Sequence, residues 1–291
     1  GSTYFAPNAY SPDESFAVIR IEGVTAYHGF VEPLQHIADN GRANIGDLSA
    51  FDRAWFSAPA ARMAQLERDL GVKMCELYGL TETGGNVSIC IADDPEEMRF
   101  DSDGRPHDGL EVRIVDPNTG ALLPEGGSGE IQVRGWNVMR GYFRDPDATA
   151  GAISPEGWFA TGDQGQLLAG GYLRFIARIK DIIRVGGENL SPAEVEGVLL
   201  THPAVIEVAV VAAPDARLGE VPVAFLQLNR EYEDVTTELH AFCAQRLAKF
   251  KLPRRFVVVD DFPRTGATNR IQKAQLRKLV AEPVEGSEHA Q

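Results

Sequence analysis

Residues 72–85 read VKMCELYGLTETGG. Val72–Leu77 predicts a strand, and it is followed by an aromatic and a turn, Tyr78-Gly79-Leu80-Thr81-Glu82-Thr83-Gly84-Gly85. Just upstream, Pro59–Leu70 predicts a helix, with Met63, Leu66 and Leu70 on one face and Gly71 placed to end it. Further back, Arg53–Phe56 and Val24–Tyr27 predict strands, and residues 31–39 predict a helix. Ser11-Pro12-Asp13-Glu14 is a helix start, with an N-cap, Pro at the first helical position and acids in the first turn. Strand–helix–strand alternation of this kind argues for an α/β layer with a parallel sheet.

Beyond about residue 100 the texture changes. Glu111–Val115, Gly129–Val133, Gln166–Leu168 and Tyr172–Ile176 predict short strands, punctuated by turns at Asn118-Thr119-Gly120, Gly126-Gly127 and Gly170-Gly171. This predicts a small β subdomain. After residue 182 comes a third texture, opening on Ser191-Pro192-Ala193-Glu194, which reads as a capping box. Strands at Val205–Val211 and Val221–Leu228, a helix at Thr236–Leu247, a strand at Phe256–Val259 and a basic terminal helix complete an α+β unit. The tail beyond Val280 is expected to be disordered.

The chain has 291 residues, enough for about two domains. Its net charge of −14 argues against a nucleic-acid binder or a basic membrane-surface protein. Three widely spaced cysteines, Cys75, Cys90 and Cys243, exclude a disulfide framework and a CxxC site and predict inert thiols in a reducing compartment. The richest apolar stretch, around Val205–Ala213, is interrupted by Glu207, so no membrane span is expected. With no signal-peptide pattern at the N-terminus, the expected location is cytoplasmic.

Four segments could carry chemistry. Around Tyr78–Gly85, glycines let backbone approach a ligand, two hydroxyls and a carboxylate can hold phosphate oxygens and a hard cation, and an aromatic can stack on a flat base. The same segment reads equally as a Gly-rich turn with a structural tyrosine. Trp158-Phe159-Ala160-Thr161-Gly162-Asp163 and Arg178-Ile179-Lys180-Asp181 could bring Asp163 and Arg178 to a ribose diol, or form a solvated hairpin with a salt bridge. Arg184-Val185-Gly186-Gly187-Glu188-Asn189 leads into the expected helix at 191.

Together the YGLTE core, the RGYFRDPDAT stretch at Arg140–Thr149, GWFATGD, RIKDIIRVGGENLSPAEVE and the closing PRTxxT…IQK resemble, in order and spacing, the signatures of the adenylate-forming superfamily. That group includes acyl- and aryl-CoA synthetases, peptide-synthetase adenylation domains and firefly-type luciferases. The resemblance runs from about residue 12 to 280, and Gly186–Pro192 looks most like acyl- and aryl-CoA ligases. It implies the C-terminal part of a synthetase large domain (residues 1–177), an α/β layer with a β subdomain. A hinge at 178–181, a mobile α+β lid domain at 182–280 and a tail at 281–291 follow.

The implied activity is ATP-dependent activation of a fatty or aryl carboxylic acid as an acyl-adenylate, then transfer to CoA as a thioester, with ATP, Mg²⁺ and CoA as cofactors. By the same resemblance Tyr78 stacks on adenine within a nucleotide site that includes Gly79, Thr81 contacts phosphate, and Glu82 binds Mg²⁺. Asp163 and Arg178 hold the ribose, Lys180 is the hinge, and Gly186 and Gly187 line the pantetheine passage. His28, Phe30 and Gly84 match segments that shape the acyl pocket. Homo-oligomerisation is left open.

Three departures qualify it. The chain starts inside the large domain without the Ser/Thr/Gly-rich phosphate loop, so it is expected to be a partial synthetase, inactive alone. Ser57-Ala58-Pro59, counted with the nucleotide site, stands where the family has a Gly/Ala-rich turn. Arg270 stands in place of the family's adenylation lysine, keeping charge but changing its geometry, with Lys273, three residues on, a fallback only if that loop is flexible. Residues 245–278 hold ten Lys or Arg against two acids, a local +8 that suits phosphates or simply a solvated helix. An adenylation domain loading a carrier protein, and a non-catalytic paralogue that binds nucleotide or a partner, remain alternative readings.

Overall fold

The computed structural model describes residues 3–5, 11–29, 31–39, 48–229, 235–265 and 271–281. The chain divides into two compact units, Gly1–Phe175 and Ile176–Gln291.

The first unit begins with helix α1 (Pro12–Ile21), whose N-cap Ser11 Oγ accepts from Glu14 N at 3.0 Å, as the helix-start pattern predicts. Three short strands, β1 (Ala26–His28), β2 (Arg53–Trp55) and β3 (Lys73–Cys75), form a parallel sheet in that order, with α2 (Val31–Asp39) and α3 (Ala60–Leu70) between them. Helix α3 buries the stripe Met63, Leu66 and Leu70 against Leu34, Ile37, Ala54 and Met74, and Gly71 stops it in the left-handed conformation at φ 63°. The i, i+3, i+7 spacing places all three side chains on one face.

The strand expected over Val72–Leu77 is two strands. β3 ends at Cys75, and β4 (Leu77–Tyr78) joins a separate antiparallel sheet with β5 (Ser88–Ile89) and β6 (Arg105–Pro106). Glu76 sits at the switch, its carbonyl accepting from Cys90 N at 3.0 Å. Helix α4 (Glu96–Asp101) packs beside α3. Its Arg99, 1% exposed, makes a two-pronged contact with Glu67 at 2.5 and 2.9 Å and donates to Met74 O at 2.6 Å.

Strands β7 (Leu110–Val115), β8 (Gly129–Gly135), β9 (Phe159–Leu168) and β10 (Tyr172–Arg178) form an antiparallel meander, with α5 (Pro146–Ala152) between β8 and β9. The strand expected at Gln166–Leu168 starts seven residues earlier and absorbs the TGD segment. Its buried face is Phe159, Thr161, Asp163 and Gly165, so two polar side chains point inward and hide the period-2 apolar pattern. The guanidiniums of Arg113 and Arg134 lie over the Trp158 ring at 4.1 and 4.6 Å, and Arg134 also grips Glu111. Trp55 donates to Cys90 O, and the largely exposed Trp136 donates to Asp108 O.

In the second unit, β11 (Ile183–Val185) and β12 (Glu188–Leu190) form a hairpin that joins β14 (Gly219–Leu228) and β13 (Val205–Asp215), and β15 (Arg255–Val258) pairs in parallel with β14. Helices α6 (Pro192–Leu199) and α7 (Thr236–Ala244) cover one face over Val208, Val210, Ala224 and Leu226. Helix α8 (Lys273–Leu279) lies over the other, with Leu276 against Ala209, Val211, Val223 and Phe225. Burial on both faces explains the near-continuous apolar run of β13.

The expected capping box at Ser191 does not form. Helix α6 does start at Pro192, but Ser191 Oγ donates to Ile176 O at 3.1 Å, and Glu194 instead receives Lys251 at 2.6 Å. All three cysteines are buried and free, and burial pushes their thiols up, to about 11 for Cys75 and Cys243 and about 12 for Cys90.

Candidate functional site

The turn after β4 is drawn tight by its backbone. Gly85 N donates to Leu80 O, Val87 N to Tyr78 O, and Thr83 Oγ1 both accepts from Leu80 N and donates to Leu80 O, closing one helical turn over Thr81–Thr83. A Cβ on Gly79 would stand 1.7 Å from Gly85 O, so glycine there is demanded by close backbone approach. Gly84 ends the turn at φ 64°. Thr81 and Gly84 are exposed, and Glu82 is half-buried.

Tyr78 is 6% exposed, with its ring stacked on Phe175 at 5.8 Å between centroids and its hydroxyl donating to Asp163 Oδ2 at 2.8 Å. Asp163, on the inward face of β9, is 2% exposed and its N–H donates to Thr161 Oγ1 at 3.1 Å. The Ser57-Ala58-Pro59 turn is tied to the same region by Glu76, whose Oε2 accepts from Ala58 N at 3.3 Å and Oε1 from Leu77 N at 3.4 Å. Burial, reinforced by the charge of Asp103, pushes the Glu76 carboxyl up to about 8, and burial pushes Asp103 up to about 7. The first unit therefore brings together Ser57–Pro59, Tyr78, Gly79, Thr81, Glu82 and Asp163. His28 stands exposed at the end of β1, and Phe30 lies outside the described residues.

Glu82 Oε1 accepts from the Tyr142 hydroxyl at 3.0 Å, and Glu82 O accepts from Met139 N at 2.7 Å. Among the described residues no group of three or more His, Cys, Asp or Glu could hold a metal ion. A single carboxylate does not make a resident metal cage. It does fit Mg²⁺ carried by a polyphosphate, because that ion keeps several waters and takes one or two carboxylates beside phosphate oxygens.

In the second unit, Arg178 ends β10, and Ile179–Asp181 form one helical turn with Lys180 exposed. Arg277 of α8 pairs with Asp181. The register Val185↔Glu188 leaves Gly186-Gly187 as a two-residue hairpin loop, with φ 59° and 96°. Such a turn needs positive φ at both positions, so the glycine pair is already explained by backbone geometry. A Cβ on Gly187 would meet nothing within 4 Å. Arg270 lies outside the described residues, as does the tail at 282–291.

Much of the basic stretch at 245–278 is paired within its own unit. Lys251 meets Glu194, Lys273 meets Glu196 at 2.6 Å, Arg264 meets Glu207 and Arg277 meets Asp181. Sequence reasoning passed over Glu76, Asp103 and Tyr142. Tyr142 stands inside the quoted RGYFRDPDAT stretch; Glu76 shows only as one of two charged residues in Val72–Leu77.

Among the described residues no helix is long and apolar enough to cross a membrane. A family model described as AMP-binding enzyme matches residues 1–143, and one described as AMP-binding enzyme C-terminal domain matches 194–268. The medium-chain fatty-acid–CoA ligase of Escherichia coli (strain K12) is 35% identical over 93% of this chain and 48% of its own length. The o-succinylbenzoate CoA synthetase of Bacillus subtilis, solved with an acyl-adenylate intermediate, matches with TM-score 0.80 and 33% identity over 92% of this chain and 54% of that one. An amide bond synthetase of Marinactinospora thermotolerans matches with TM-score 0.82 and 31% identity over 93% and 56%. The chain spans about half the length of the curated relatives it matches. Two matched models in family order, on a fold shared with solved adenylating enzymes, make this chain a member of the adenylate-forming AMP-binding enzyme family.

Proposed function

We propose that this chain is the nucleotide-facing and lid-bearing part of a ligase that activates a fatty or aryl carboxylic acid with ATP and passes it to CoA. The carboxylate oxygen attacks the α-phosphorus, the acyl–O–P bond forms, and pyrophosphate leaves. The CoA sulfur then attacks the acyl carbon, AMP leaves and the thiol proton goes to solvent. A carboxylate is a poor electrophile; adenylation gives it a good leaving group.

The observation that carries this reading is the meeting of Tyr78 and Asp163, 85 positions apart, at the start of the turn that carries Glu82. In this reading Tyr78, held in place by Phe175 and Asp163, forms one wall of the adenine slot. Thr81 donates to phosphate, Glu82 faces a magnesium-bound polyphosphate, and Asp163 and Arg178 hold the ribose hydroxyls. Mg²⁺, when bound, neutralises charge on the phosphate oxygens. The second unit turns about Lys180 between the two half-reactions, the Gly186-Gly187 hairpin lines the thiol's route, and Arg270 faces the α-phosphate during adenylation. His28, Phe30 and Gly84 border the acid.

The test is carboxylate-dependent ATP–pyrophosphate exchange and CoA thioester formation across a panel of acids. It uses the complete product of the gene, including any sequence encoded upstream of residue 1. Exchange with thioester formation supports the reading. Exchange with transfer only to a pantetheine-bearing carrier protein would move the acceptor, and no exchange with any acid would overturn the reading.

A further inference from the structure

The loop between β8 and α5 is built against the turn that carries Glu82. Asn137 Nδ2 donates to Asn86 O at 2.9 Å, Met139 N to Glu82 O at 2.7 Å, and the Tyr142 hydroxyl to Glu82 Oε1 at 3.0 Å. Tyr142 is itself fixed from behind. Its N–H donates to Thr149 Oγ1 at 2.9 Å, and a Cβ on Gly141, at φ 150°, would stand 2.7 Å from Thr149 Cγ2. Arg144 then takes φ 57° to bring Asp145 to the N-cap of α5, where Asp145 Oδ1 accepts from Ala148 N at 3.0 Å. The backbone thus holds Tyr142 in place, and one of its contacts ends on a carboxylate oxygen.

We infer that Tyr142 is a positioning residue for the Glu82 carboxylate, fixing its orientation toward a magnesium-bound nucleotide polyphosphate. The inference rests on the proposed nucleotide reading of Glu82. A carboxylate that shares a metal with other protein ligands is oriented partly by them. Glu82 belongs to no such group among the described residues, and the Tyr142 hydroxyl is the side-chain contact the structure gives it. An ionised carboxylate offers about four lone-pair sites on two oxygens. The phenol uses one site on Oε1, which leaves Oε2 for the cation and restricts rotation about the last side-chain bond. Hydrogen-bond partners of metal-ligating groups set ligand orientation in this way, and their loss typically weakens metal affinity by about 10–100-fold. Tyr142 and Glu82 are both partly solvated, which places this pair at the low end.

The experiment is a Mg²⁺ titration of ATP binding by calorimetry, with metal-free AMP binding as the parallel measurement. It compares the complete gene product with its Tyr142→Phe, Glu82→Gln and doubly substituted forms, each checked for an unchanged melting temperature. Tyr142→Phe should raise the half-saturating Mg²⁺ concentration about tenfold and leave AMP affinity as it was. In the Glu82→Gln background the second substitution should add nothing. Thr149→Val, which leaves both partners intact but loosens the Tyr142 backbone, should shift the Mg²⁺ dependence in the same direction by less. An unshifted titration in Tyr142→Phe, an equal loss of AMP binding, or additivity in the double variant would each overturn the inference. If Glu82→Gln leaves the Mg²⁺ dependence of ATP binding unchanged, or the unsubstituted protein shows none, the metal reading of Glu82 fails first and this inference falls with it.

Discussion

The Tyr78 hydroxyl donates to Asp163 Oδ2 at 2.8 Å, joining the end of β4 to the inward face of β9. Both side chains are buried, so the bond sits where a missing partner cannot be replaced by water. Tyr78→Phe keeps the ring on Phe175 and removes only the donor. It should lower the unfolding free energy of the chain by about 1–3 kcal/mol, read from urea denaturation followed by circular dichroism. A loss within experimental error would mean that Asp163 is satisfied without Tyr78.

Glu76 gives the first unit a pH dependence of definite sign. Its folded value of about 8 lies above the ordinary 4.5, chiefly through burial, so the folded state holds the proton more tightly than the unfolded chain. That contribution is complete below the unfolded value and is lost as pH rises from about 4.5 toward about 8. Asp103, raised to about 7, acts in the same direction. Melting temperatures between pH 5.5 and 8.5 should therefore fall less steeply in Glu76→Gln than in the unsubstituted chain. Parallel pH profiles would show that the carboxyl ionises without cost where it stands.

Arg99 is a buried cation whose main partner is Glu67. Burial alone would raise the Glu67 carboxyl, but Arg99, Met74 N–H and Lys73 outweigh it and hold the group below its usual value. The pair's contribution is present above the usual carboxylate range and is lost as pH falls through the lowered value. Arg99→Ala should cost about 3 kcal/mol, the low end for breaking a buried pair, and should flatten the acid limb of the stability profile. Arg134→Ala, which breaks a solvated pair with Glu111, should cost far less. Equal losses in the two variants would contradict the burial argument.

Two glycines should respond to alanine in opposite directions. Gly79→Ala drives a Cβ into the Gly85 carbonyl and should exceed the about 1–3 kcal/mol of ordinary overpacking. Gly151 lies inside α5, where an added methyl would meet nothing within 4 Å, and should gain about 0.5–1 kcal/mol as alanine. Denaturation midpoints of the two variants on either side of the unsubstituted chain would confirm the contrast; a tolerated Gly79→Ala would not.

Where the pattern of side chains is itself the structure, the sequence could be read directly. The Met63, Leu66, Leu70 stripe with Gly71 and the Ser11 cap are local, and each appears where expected; the Gly186-Gly187 hairpin, equally local, was not expected. What escaped was set by distant contacts. The strand pattern of Val72–Leu77 cannot show that Glu76 divides it between two sheets, since the Ala58 partner is 18 residues away. Asp163 and Thr161 disguise β9 because their inward polarity is satisfied by Tyr78 and by Ile131 O. The local excess of cations at 245–278 likewise gave no sign that Glu194, Glu196, Glu207 and Asp181 would engage four of them. For the site, the motif residues were legible as a set; Tyr142's grip on Glu82 was not, because nothing in 60 positions of intervening chain announces it.

Trp55, Trp136 and Trp158 are the chain's three tryptophans, and all belong to the first unit. Intrinsic emission therefore reports on one unit alone. Trp136, 70% exposed and three residues before Met139, is a ready optical probe of the loop that carries Tyr142, while Trp158 under its two guanidiniums should respond mainly to unfolding of the meander. A heat-absorbing transition with no change in tryptophan emission can be assigned to the second unit, so the two units can be followed separately in one unlabelled sample.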